Sequence, residues 1–96
     1  MSPINKKRLN LVRIKLDKLD NELLKLIKKR SNLVNEVLKI KIYKKEIIDQ
    51  KRIKFILKKI KIKSIQSNID TKITNRIWKN MIWSFIDYEK RNFRKK

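Results

Sequence analysis

The sequence predicts an all-α protein: a three-helix protomer with one long N-terminal helix, sharing its core with a second copy. Three observations carry the prediction. From Leu9 to Lys41, the residues Arg13, Leu16, Asp20, Leu23, Ile27, Arg30, Val34, Val37 and Lys41 recur in alternating steps of three and four. That spacing places them on one stripe of a helix about nine turns long. The chain has no Gly or Ala, and its only Pro is Pro3, so the usual turn signals between strands are missing. At 96 residues it is one domain, 1–96, whose core would be thin if a single copy had to supply it.

The elements follow in order. Residues 1–8 (MSPINKKR) are polar, with Pro3 tolerable only at or before a first turn, and fraying is expected there. The long helix runs to about Ile42, and Tyr43 to Glu46 form a polar connection without apolar period. Asp49 is a suitable N-cap for a second helix over about 49–63, continued by Arg52, Ile56, Leu57 and Ile60 at helical spacing. The polar stretch Ser64 to Asn68 closes that helix. Asp70 or Thr71 caps a third, whose stripe is Ile73, Ile77, Trp78, Met81, Ile82, Phe85 and Glu89. Trp78, Met81 and Trp83 are read as core or dimer contacts. The basic tail from Lys90 to Lys96 is expected to fray.

Charge inside apolar stripes is the unusual feature. Arg13, Asp20, Arg30 and Lys41 interrupt the first stripe, where burying an unpaired charge costs several kcal/mol, so something must meet the cations. Arg30 and Lys41 are separated by about 16 Å of helical rise, within reach of two long side chains sharing one compact ligand. Arg13 lies about 25 Å from Arg30 along the same axis and cannot join them. An antiparallel second copy brings its own Arg13 back toward Arg30 and Lys41, giving two composite sites related by a two-fold axis. Asp20, one carboxylate among arginines, reads as an ion-pair partner that positions them.

Composition excludes several classes. Without Cys there is no disulfide or thiolate chemistry, and without His the commonest metal ligand and general base are gone, so no metal and no cofactor are expected. No early apolar run follows Met1, so neither a secretory signal nor a membrane partner is expected and the location is cytoplasmic. The 29 Lys and Arg against 9 Asp and Glu, net +20, raise a nucleic-acid-binding module as the reading from a different class. Heavy use of Lys, Ile and Asn fits the coding bias of an AT-rich gene. The basic runs also lack interleaved stacking aromatics, so nucleic acid is not the expected partner.

The same residues resemble a known family. Leu19-Asp20-Asn21-Glu22-Leu23-Leu24, Leu26-Ile27-Lys28-Lys29-Arg30, Leu33-Val34-Asn35-Glu36-Val37 and Lys41 are similar to the first helix of the all-helical chorismate mutases. Asp49 with Arg52, and Ile77-Trp78 through Glu89, resemble that family's second and third helices. The likeness covers residues 11–89 and implies an intertwined homodimer in which each site takes one arginine from the partner. It implies the Claisen rearrangement of chorismate to prephenate, at the branch point to phenylalanine and tyrosine. By position, the partner's Arg13 and Arg30 bind the two substrate carboxylates, Lys41 and Glu89 contact the ether oxygen, and Asp49 and Arg52 line the ring side. Where the family usually carries Glu after that arginine, to take the ring hydroxyl, this chain has Ile53; where many members have a small polar residue, it has Phe85. Both are assigned to the pocket wall, and both also resemble the isochorismate pyruvate-lyases, the alternative activity on this fold.

Overall fold

The computed structural model describes residues 1–94. It contains α1 (Pro3–Ile40), a short 3-10 helix (Lys44–Ile47), α2 (Gln50–Gln66) and α3 (Thr71–Asn92), with no strand among the described residues. The chain divides into two compact units, Met1–Leu33 and Val34–Lys96.

The first unit is most of α1. The helix starts at Pro3 rather than at Leu9, because Ser2 and Pro3 form a proper beginning. The Asn5 N–H donates to Ser2 Oγ at 3.2 Å, and Pro3 occupies the first helical position, where its missing N–H costs nothing. No residue of α1 is buried, and Leu16, Leu19, Leu23 and Leu24 are each more than half exposed. The apolar stripe predicted from periodicity therefore stands uncovered.

The second unit holds the core. Ile47, Ile82 and Ile86 are buried, with Ile48, Ile53, Ile56, Leu57 and Phe93 packed against them. Ile47 closes the connection expected to be a polar turn. The Glu46 carboxylate accepts from the Tyr43 N–H at 3.1 Å, winding the segment into a 3-10 turn that carries Ile47 inward. Asp49 caps α2 by accepting from the Arg52 N–H at 3.0 Å, and Asp70 caps α3 through the Lys72 N–H at 2.8 Å.

α2 runs past the expected end at 63. Ser64, read as the start of a polar closure, is buried: its hydroxyl lies 2.6 Å from the Ile60 carbonyl, to which it donates, and 2.7 Å from Thr74 Oγ1. The helix ends at Gln66 with Ser67 as its C-cap, and Asn68 beyond it takes a positive φ of 56° and the place glycine usually holds. There the Ile69 N–H donates to Ser64 O at 2.9 Å and the Asn68 N–H to Ile65 O at 3.2 Å, satisfying two end carbonyls. On α3 the buried line is Thr74, Ile82, Ile86 and Glu89. Ile73 and Ile77, expected on the covered stripe, are 55% and 51% exposed, so the inward face is rotated from the predicted one. α3 continues through Asn92, beyond the point where the basic tail was expected to fray; Lys95 and Lys96 lie outside the described residues.

Candidate active site

Lys41 is the residue after α1, still held by its N–H donating to Val37 O at 3.2 Å. Its ammonium sits 3.1 Å from Glu89 Oε1 on α3, and the two side chains are 17% and 7% exposed. This is a largely buried ion pair between groups far apart in sequence. Such a pair contributes little net stability, because desolvation offsets the attraction, yet removing either member strands the other charge. One residue earlier on α3, the Tyr88 hydroxyl donates to Asn35 Oδ1 at 2.7 Å. That bond fixes α3 against the last turns of α1 and so sets the register in which Glu89 meets Lys41.

Lys41 also lines an open depression of about 570 Å³ shared with Glu46, Ile48, Asp49, Gln50 and Lys51. Asp49 reaches it although its carboxylate is committed to capping α2. The Arg52 guanidinium lies 5.4 Å from the centre of the Phe55 ring, on the exposed side of α2. Ile53 is half-buried against the core, and Phe85 is half-buried on α3. Of the residues singled out from sequence, Lys41, Glu89 and Asp49 thus surround the end of α1 within one unit.

Arg13 and Arg30 belong to the first unit, where Arg13 is exposed and Arg30 half-buried. Seventeen residues of continuous helix hold their Cα atoms about 25 Å apart, so one copy of α1 cannot bring both guanidinium groups to one small ligand.

The family model for chorismate mutase type II matches residues 12–90. The chain belongs to the chorismate mutase type II family. The matched span contains Arg13, Arg30, Lys41, Asp49, Arg52, Ile53, Phe85 and Glu89. Members are isomerases, and the activity is the conversion of chorismate to prephenate. The match favours neither a pyruvate-lyase nor a nucleic-acid-binding module. Comparison with curated proteins and with solved structures gives no match. Among the described residues, no helix is long and apolar enough to cross a membrane.

Some of what surrounds this candidate site had no sequence signal. Glu46 sits in a short connection without period, Gln50 and Lys51 are polar residues that open α2, and the Asn35–Tyr88 bond joins residues 53 positions apart. Glu89 did have one: a carboxylate ending an apolar stripe is a costly placement unless a cation meets it.

Proposed function

We propose that Lys41 and Glu89 form the catalytic pair of the chorismate mutase site, in a homodimer whose partner subunit contributes Arg13. The observation that carries this reading is the 3.1 Å contact between the Lys41 ammonium and the buried Glu89 carboxylate. These are the two groups that resemblance to the family puts at the ether oxygen.

The reaction is a one-step pericyclic rearrangement. The ether carbon–oxygen bond breaks as a carbon–carbon bond forms, no proton moves, and negative charge grows on the oxygen. A catalyst for this step has two tasks: holding a flexible dicarboxylate in its compact reactive conformer, and aiming donors at the oxygen. Arg30 and the partner's Arg13 hold the two carboxylates, Lys41 donates a hydrogen bond to the oxygen, and Glu89 beside it holds the Lys41 ammonium in place. Asp49 and Arg52 flank the ring side, with Ile53 and Phe85 as wall. The exposed leucines of α1 support the dimer, since an antiparallel copy of the same helix supplies the missing cover and returns its Arg13 toward Arg30.

A spectrophotometric assay with chorismate tests the assignment. Lys41→Ala is expected to lower kcat by about 10²- to 10³-fold, the typical loss on removing one donor from a developing anion. Full activity in that variant would remove Lys41 from the chemistry. Raising ionic strength is expected to raise KM, because salt screens the cations that bind the carboxylates.

A further inference from the structure

We propose that the outer face of α2 docks an acidic amphipathic helix of a partner protein. α2 has two apolar faces. The inner one, Ile53, Ile56, Leu57 and Ile60, packs into the core or is half-buried beside it. On the opposite side Phe55 and Ile62, two helical turns apart and within about 20° of each other around the axis, are 54% and 48% exposed. They border a shallow depression of about 410 Å³ whose other walls are the stems of Lys58, Lys59 and Lys63, with Gln66.

Charge identifies the occupant. Seven of the 17 residues of α2 are Lys or Arg and none is Asp or Glu. On a helical wheel, Lys51 and Lys58 lie on one side of the Phe55–Ile62 strip and Arg52 and Lys59 on the other. Neither ion pair, Lys41–Glu89 or Arg91–Asp87, reaches these cations. Instead the Arg52 and Lys59 cations lie 5.4 and 5.8 Å from the Phe55 ring centre. Lys54 faces Lys58, and Lys59 faces Lys63, at the i,i+4 spacing where like charges repel. An apolar seam between two rows of one charge is half of a heptad interface, and its complement carries leucines on the seam and glutamates on the flanks.

A second copy of the chain does not supply that complement. α2 has no acidic residue and α3 has two, and the four of α1, Asp17, Asp20, Glu22 and Glu36, are too few to form two acidic rows beside an apolar seam. The occupant is another protein. Phe55, Ile62, Lys58 and Lys59 are not among the residues assigned to the chorismate site; the flanking Lys51 and Arg52 lie at its edge, and the test leaves both unchanged.

The test is fluorescence anisotropy at physiological salt with a labelled three-heptad synthetic peptide, Leu at the seam positions and Glu on the flanks. A scrambled peptide of identical composition is the control. The ordered peptide is expected to bind at least about tenfold more tightly than the scrambled one. Phe55→Ser/Ile62→Ser and, independently, Lys58→Glu/Lys59→Glu should each weaken it by about tenfold, with chorismate turnover unchanged. Lys28→Glu/Lys29→Glu on α1, with the same change in net charge, should weaken it far less. Equal binding of the two peptides, or equal loss in the α1 variant, overturns the proposal by reducing the effect to net charge. If phosphatidylglycerol vesicles or a short DNA duplex bind more tightly than the ordered peptide, and lose that binding in the α2 variants, the face serves a membrane or nucleic acid and the proposal is likewise overturned.

Discussion

Replacing Glu89 with Gln separates what the carboxylate does for the fold from what it does for the reaction. In the resting structure its Oε1 accepts from the Lys41 ammonium at 3.1 Å, with the two side chains 7% and 17% exposed. A hydrogen bond between charged partners contributes about 1.5–3 kcal/mol, and a neutral amide oxygen in its place retains about 1 kcal/mol. The substitution should therefore cost about 0.5–2 kcal/mol. For a chain of this size that lowers Tm by several degrees, about 4–8 °C per kcal/mol. Urea titrations at matched protein concentration, with an unchanged m-value, measure it directly. Activity should move differently. An ionised carboxylate beside the ether oxygen repels the charge growing there, whereas the amide can keep its oxygen on Lys41 and turn its N–H toward the reacting oxygen as a donor. Glu89→Gln should therefore keep or raise kcat in the chorismate assay while the fold weakens. Stability equal to the parent's within the error of the titration would mean the ion pair does not form in solution. A kcat lowered by about tenfold or more would mean that the negative charge of Glu89 is itself needed for turnover.

Four further outcomes are expected. Mixing Arg13→Ala with Arg30→Ala subunits under exchange conditions should regenerate activity, because one site of each heterodimer carries both arginines; no recovery despite proven exchange rejects a role for Arg13 in trans. Sedimentation at micromolar concentration should show a folded dimer, and a stable folded monomer would contradict the shared core. Asp49→Ala should destabilise by about 0.5–2 kcal/mol in urea, through loss of the α2 cap. Thr74→Val should cost about 1 kcal/mol, since Ser64 loses one buried partner but still donates to Ile60 O.

Periodicity made the first helix legible from Leu9 onward, because every third or fourth residue repeats over many turns. Its start carries no such period: residues 1–8 are polar, and only the pairing of Ser2 as cap with Pro3 at the first helical position opens the helix there. On α3, pattern alone could not tell which apolar residues meet α2. The contact is set by two small hydroxyls, Ser64 and Thr74, whose close approach turns Ile82 and Ile86 inward and leaves Ile73 and Ile77 outside. Ile47 escaped notice because a 3-10 turn too short to show a period buries it. At the site, Lys41 and Glu89 stood out as charges where aliphatic residues were due. The Asn35–Tyr88 bond that fixes their register left no local trace, since neither residue is unusual at its own position.

The uncovered stripe of α1 bears on how a newly made chain survives before it finds cover. Between Leu9 and Ile40 no run of consecutive aliphatic residues exceeds two: Leu11-Val12, Leu23-Leu24, Leu26-Ile27, Leu33-Val34 and Val37-Leu38 are each bounded by charged or polar neighbours. An extended chain of that kind offers no five- to seven-residue apolar window of the sort that seeds cross-β aggregation. The adhesive surface exists only once the helix has wound, because winding is what gathers the scattered residues onto one side. Stickiness is thereby confined to the conformation that has a correct use for it, and an unwound chain can wait without harm.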